Sequence, residues 1–197
     1  SAQDVSEMVR ANARIEHLAF HDGLTDLPNR RFFSKHLESA LQEVAENQGR
    51  LAVVYIDIDN FKSINDRFGH ESGDELLIAF GQHLHNVKRP DEFIARIGGD
   101  EFAALISDSD DMKIESAINR LMCNLQGQYQ TSYGEFEVTL SIGVSLHPQD
   151  NGDSEVLLRH ADQAMYQAKE SGRSRIEFFD TGKHHSQRST LQLLQEL

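Results

Sequence analysis

Over the first twenty residues, apolar positions return at spacings of three and four: Val5, Met8, Ile15 and Ala19, with Asn12 inside the seam. The spacing predicts a helix over 1–20 with a short a/d-like stripe, in which one buried Asn can set register. Two heptads fit a helix lying against the domain equally well. Residues 22–30 break the rhythm with Gly23, Pro28 and Asn29 and read as a turn-rich connection. A second helix follows over 31–47, with Phe33, Leu37, Ala40, Leu41 and Val44 on one face and Gly49 ending it. The apolar run at 51–58 predicts a central strand covered on both faces, yet Asp57 stands at its end. Helical spacing resumes over 72–87, with Leu76, Leu77, Phe80, Leu84 and Val87 inward. Two apolar runs, 93–97 and 102–106, flank a Gly98-Gly99-Asp100 corner and predict a hairpin. A helix over 111–125 places Ile114, Ala117, Ile118, Leu121 and Leu125 together. A second hairpin over 129–146 turns near Tyr133-Gly134. A helix over 154–171 collects Leu157, Leu158, Ala161, Ala164, Met165 and Ala168, and a strand at 176–179 closes the series.

Paired hairpins between helices predict an α+β domain whose central sheet is mainly antiparallel, with helices packed on it. A doubly wound parallel sheet fits poorly, because no Gly-rich turn follows the first strand. At 197 residues the chain is long enough for one well-buried domain with flanking helices. No apolar run approaches a membrane span, and no signal peptide opens the chain. The lone Cys123 cannot form an internal disulfide, which suits a reducing, cytoplasmic setting, and its apolar neighbours predict burial. A formal charge of −13 repels a polyanion, so nucleic acid is not an expected partner. His17 and His21 have metal spacing without an evident third ligand.

The chemistry centres on two places. Gly98 and Gly99 leave the hairpin tip bare of side chains, so a phosphate-sized group can approach the backbone beside Asp100 and Glu101. Asp57 ends an apolar strand, and a buried carboxylate needs compensation. With strand and hairpin adjacent, Asp57, Asp59, Asp100 and Glu101 converge, a donor set suited to a hard divalent cation. Asp162, Tyr166, Lys169 and Arg173 form one stripe on the 154–171 helix, projecting Lys169 and Arg173 together at its end. Cations there are also favoured by the helix dipole alone.

Five ordered blocks carry a family resemblance: Asp22-Gly23-Leu24-Thr25-Asp26-Leu27-Pro28-Asn29-Arg30, Asp57-Ile58-Asp59-Asn60-Phe61-Lys62-Ser63-Ile64-Asn65-Asp66, Gly69-His70-Glu71-Ser72-Gly73-Asp74, Ile97-Gly98-Gly99-Asp100-Glu101-Phe102 and Tyr166-Gln167-Ala168-Lys169-Glu170-Ser171-Gly172-Arg173. Together they resemble the GGDEF domain family, the diguanylate cyclases. The resemblance implies a cyclase- or palm-like sheet on a βαββαβ core within residues 22–180. It implies Mg2+ (or Mn2+) held by Asp57, Asp100 and the Ile58 carbonyl, with Asp59 structural. It makes Asp100 and Glu101 catalytic, with Glu101 in a supporting part, and puts Lys62 near the reacting phosphates. Gly98 and Gly99, Lys169 and Arg173 fall to the substrate phosphates, while Asn65 and Asp74 read guanine. The base chemistry is sound, since a carboxylate accepts from guanine's N1 and N2 donors and an amide both donates and accepts. Ser174 stands where the family usually has Asn.

The implied reaction condenses two GTP into cyclic di-GMP and pyrophosphate, each domain of a two-fold homodimer holding one GTP. The alternative is a silent GTP-binding domain that regulates an adjacent EAL phosphodiesterase. Residues 1–21 resemble a linker from a sensor module, and 181–197, with Leu191, Leu194 and Leu197 on one face, one leading into an EAL domain. These flanks leave membrane tethering of the parent protein open. Arg89 and Glu92 occupy the positions of the family's product-inhibition motif, with Glu replacing Asp, which predicts weak or absent inhibition.

Overall fold

The computed structural model describes residues 1–182. In chain order the elements are α1 (Ala2–Phe20), α2 (Arg30–Asn47), β1 (Arg50–Ile58), α3 (Phe61–Phe68), α4 (His70–Val87), β2 (Phe93–Gly98), β3 (Glu101–Asp108), α5 (Asp111–Leu125), β4 (Gly127–Thr131), β5 (Gly134–Val138), β6 (Leu140–His147), α6 (Ser154–Glu170) and β7 (Arg175–Phe178). Side chains of Asn29, Asp110 and Asp153 cap α2, α5 and α6 by accepting from the backbone N–H groups of Phe32, Met112 and Val156. The main sheet runs β2-β3-β1-β6-β7, antiparallel except for the last pair. β1, α3 with α4, β2, β3, α5 and β6 make the predicted βαββαβ order.

β1 lies in the middle and is buried almost throughout. Because strand side chains alternate, Ala52, Val54, Ile56 and Ile58 enter one core with α4 and α5, and Leu51, Val53 and Tyr55 the other with α2 and α6. Each fully buried Leu, Ile or Phe stabilises the fold by about 2 kcal/mol. Parity carries Asp57 to the α2/α6 face. On the same face β6 offers the small residues Ser141, Gly143 and Ser145, and α6 settles onto this stripe with Ala161 and Met165. A methyl at Gly143 would lie 2.0 Å from the Ala161 carbonyl oxygen and 2.1 Å from the Met165 nitrogen. The close approach brings the last turn of α6 to the end of β1.

Several elements differ from the sequence expectations. The helix expected over 72–87 is α4, which begins two residues earlier, and a short helix not expected from the sequence, α3, precedes it and meets it at Gly69. Phe61, Ile64 and Phe68 supply α3 with its own short apolar stripe. The second hairpin is split: β4 and β5 form a separate two-stranded sheet, and β6 enters the main sheet beside β1. Arg173 is not on the 154–171 helix face, since α6 ends at Glu170 and Arg173 sits in the following turn at φ 62°. Cys123 is exposed, because it falls on the outer side of α5 between the inward Leu121 and Leu125. No residue of α1 is buried, and Val5, Met8 and Ile15 are exposed, so its stripe does not lie on the domain. The linker helix expected over 181–197 falls, but for its first two residues, outside the described residues. No helix among the described residues is long and apolar enough to cross a membrane.

Candidate active site

The Gly98-Gly99 corner connects the edge strand β2 to β3, with Gly98 at φ 155° and Gly99 at φ 51° and open space around both α-carbons. Antiparallel register sets Glu101 directly opposite Asp57. The Ile58 amide donates to the Asp100 carbonyl (3.3 Å), so the hairpin is stitched to the end of β1. Asp57 and Asp100 are thereby neighbours, and Lys169 reaches in from α6 with Nζ 2.9 Å from Asp57 Oδ2. Asp57 is buried; burial, then the charge of Asp100, pushes its carboxyl up to about 7 despite the pull of Lys169. Asp100 is raised as well, again by burial above all, with Lys169 opposing and Glu101 adding. Burial would pull Lys169 down, but Asp57, Asp100 and Glu101 more than offset it and hold it above the usual lysine range. Two packed carboxyls thus share one ammonium, and the cluster is short of positive charge.

Each predicted residue has a definite place. Glu101 accepts from the Tyr55 hydroxyl at 2.8 Å, which leaves it beside the pair and braced by the core. Burial, then Glu101, raises the Tyr55 phenol. Asp59 turns away from the cluster: it accepts from Thr139 Oγ1 (2.7 Å), Ser141 Oγ (2.6 Å) and the Ser174 amide (3.1 Å), the structural part expected of it. Ile58 sits between the two aspartates at the strand end. Lys62 is exposed on the first turn of α3. Asn65 and Asp74 form a second group on either side of the α3–α4 corner. Asn65 Oδ1 is buried without a hydrogen-bond partner, an acceptor awaiting a donor. Gly73 makes room for it, since a methyl there would fall 1.9 Å from that oxygen. Arg173 is exposed beyond α6.

Glu92 is turned inward, away from the exposed Arg89 side chain. It is buried, paired with Arg120 on α5, and accepts from the Arg89 amide at 2.8 Å. Its extra methylene relative to Asp reaches inward, and Arg89 is left exposed. His17 does not gather metal ligands: it stacks on His21 at 3.9 Å and contacts Asp26 at 2.6 Å. Among the described residues no group of three or more His, Cys, Asp or Glu side chains is arranged to hold a metal.

Two residues to which the sequence assigned no role hold the hairpin. Arg96 donates from Nε and Nη2 to the Gly99 carbonyl (3.1 and 2.9 Å) and from Nη1 to both oxygens of Asp22 (3.0 and 2.9 Å). Asp22 also accepts from Thr25 N and Oγ1, both at 2.8 Å. Burial would raise the Asp22 carboxyl, but Thr25 and Arg96 hold it below the usual range. The Arg96 amide donates to the Pro28 carbonyl (2.9 Å), completing the tie between the 22–29 loop and the hairpin. Opposite charges 74 positions apart leave no local pattern to find. Arg96→Ala is expected to cost about 3 kcal/mol, because it strands a mostly buried carboxylate. Urea unfolding measures it, and a loss under about 1 kcal/mol would show that the tie carries little.

An antiparallel α+β sheet with paired carboxyls where its central strand meets an edge hairpin defines a palm-like domain. A family profile described as diguanylate cyclase, GGDEF domain, matches residues 19–175, and the chain belongs to that family. It is 38% identical over 192 residues to the bifunctional diguanylate cyclase/cyclic di-GMP phosphodiesterase MucR of Pseudomonas aeruginosa, covering 98% of this chain and 28% of MucR. It is 36% identical over 179 residues to the cyclic di-GMP phosphodiesterase PdeR of Escherichia coli, covering 91% of this chain and 27% of PdeR. The solved GGDEF domain of TpbB from Pseudomonas aeruginosa superposes with a TM-score of 0.79 at 35% identity, over 85% of this chain and 99% of that one. The chain spans less than a third of MucR and of PdeR.

Proposed function

We propose that this domain is a diguanylate cyclase, condensing two GTP into cyclic di-GMP and pyrophosphate. The observation that carries the proposal is the Asp57–Asp100 pair beside the bare Gly98-Gly99 corner, with both carboxyls raised and one lysine between them. Such a cluster gains most from a hard divalent cation, Mg2+ or Mn2+, which Asp57, Asp100 and the Ile58 carbonyl would hold. The cation supplies charge stabilisation on the attacking and leaving oxygens when bound. The chain's own groups do the rest. Lys169 and Arg173 take the phosphates, with Lys62 near the reacting ones, and Tyr55 fixes Glu101 beside the reacting centre. The unpaired Asn65 Oδ1 accepts from the guanine edge, and Asp74 accepts from N1 and N2.

Because the product joins two nucleotides symmetrically, one domain is half a site, and a two-fold pair of domains completes it. The segments 1–21 and 181–197 act as linkers to neighbouring modules of a longer protein. Incubation with GTP and Mg2+, followed by chromatography, tests the proposal. Cyclic di-GMP should form, with specific activity rising with protein concentration. GTP bound without product would instead favour a regulatory domain beside a phosphodiesterase, which the name of PdeR supports. No GTP binding at all would overturn both.

A further inference from the structure

We propose that the β4–β5 hairpin is a splint for the guanine site, and that Ser132 and Tyr133 at its tip are positioning residues for Asp74; this rests on the guanine assignment above. The corner it braces turns on a single residue. α3 ends and α4 begins at one residue, Gly69 (φ 90°), and α4 has no side-chain cap. Asn65 lies on one side of this corner and Asp74 on the other, so the angle between the helices sets the spacing of the two base readers.

The hairpin grips both sides. On α3, Phe136 of β5 meets Phe68 edge to face, ring centroids 5.1 Å apart. On α4, the Tyr133 hydroxyl donates to Glu71 Oε2 at 2.7 Å, the Ser132 amide donates to Glu75 Oε2 at 2.8 Å, and the Ser132 hydroxyl donates to Glu75 Oε1. Glu71, Asp74 and Glu75 fall at i, i+3 and i+4, one patch of helix surface with Asp74 on its margin. Hydrogen bonds from Ser132, side chain before backbone, hold the Glu75 carboxyl below its usual range, so the contact favours the charged form. The base of the hairpin is fixed independently. Tyr129 is buried, donates to the Leu125 carbonyl at 2.6 Å and packs on Phe80 of α4. A hairpin anchored in the core at one end and bonded to exposed glutamates at the other converts core rigidity into a fixed orientation of the first two turns of α4.

The two glutamates have no need of the hairpin for solvation, being exposed or half-exposed. Their bonds to it therefore serve geometry. The affected property is guanine discrimination, since Asp74 faces N1 and N2, and inosine lacks the 2-amino group. The test measures binding of the α,β-methylene analogues of GTP and ITP, with Mg2+, to the wild-type chain, Tyr133→Phe, the double variant Ser132→Ala/Tyr133→Phe, and Asp74→Ala as the reference for full loss. The wild type is expected to prefer the guanine analogue by about tenfold. The double variant is expected to lose roughly threefold or more of that preference, with Tyr133→Phe between. Equal weakening of both analogues, or an unchanged ratio, overturns the splint and leaves the guanine assignment standing. A wild type without preference overturns the assignment and the splint together.

Discussion

Cyclic di-GMP formation is expected to fall by about a thousandfold or more in Asp57→Asn and in Asp100→Ala, with the fold retained. A bound cation is worth several kcal/mol of charge stabilisation in the transition state, and each 1.36 kcal/mol is a factor of ten. The fold survives because neither carboxylate serves the core. Asp57 is a liability there: its carboxyl is raised from 3.8 to about 7, so the folded chain keeps a proton that the unfolded chain releases. More protons bound in the folded state means that stability falls as pH rises, here between about 4 and about 7, and levels off above. Asp57→Asn should flatten this decline and leave the metal-free protein at pH 8 no less stable than wild type, while Mg2+ no longer stabilises it. Thermal melts with and without Mg2+ across that pH window read both effects. Retained cyclase activity in either variant would sink the metal assignment.

The largest stability effect is expected at a position with no chemistry. Gly143→Ala puts a methyl 2.0 Å from a carbonyl oxygen and 2.7 Å from the Met165 α-carbon, both backbone. No rotamer relieves such a contact, and α6 must lift from β6. Overpacking against side chains costs about 1–3 kcal/mol, and a rigid backbone partner places this variant above that range. Activity should fall in the folded fraction too, since Lys169 rides on α6. Gly23→Ala is the control, with nothing within 4 Å of the added methyl. Urea unfolding of the two variants separates them, and a Gly143→Ala loss under about 1 kcal/mol would show that sheet and helix do not approach so closely.

Much of this was legible in the sequence, for identifiable reasons. The β1 run was apolar on both faces, and the helices around it carried their stripes, so sheet and layers followed from periodicity. Asp57 stood out because it interrupts such a run, and the paired glycines marked the hairpin that meets it. What the sequence hid depended on distance or on short elements. The 129–146 stretch alternates convincingly as one hairpin, and only Thr139, where the chain leaves β5 for β6, reveals the split. α3 is eight residues long and its apolar stripe is three side chains, too brief against the turn-forming Asn60 and Gly69. Arg173 sat at a helical spacing from Lys169, but Gly172 had already ended the helix. The Arg96–Asp22 tie and the Glu92–Arg120 pair are non-local, with nothing in either segment to announce its partner. The splint at Ser132 and Tyr133 belongs to the same class.

Asp59 has a mechanical consequence. β7 is a four-residue edge strand, yet it is pinned at both ends: the Ser174 amide before it bonds to Asp59, and the Phe179 amide after it to the Val144 carbonyl at 2.7 Å. Asp59 is two residues from Asp57, and Ser174 is next to Arg173. Tension on the chain beyond Phe178 therefore meets the Phe179–Val144 bond and the pairing with β6 first, and at the far end of β7 the Ser174–Asp59 bond links that strand to the end of β1, where the paired carboxyls sit.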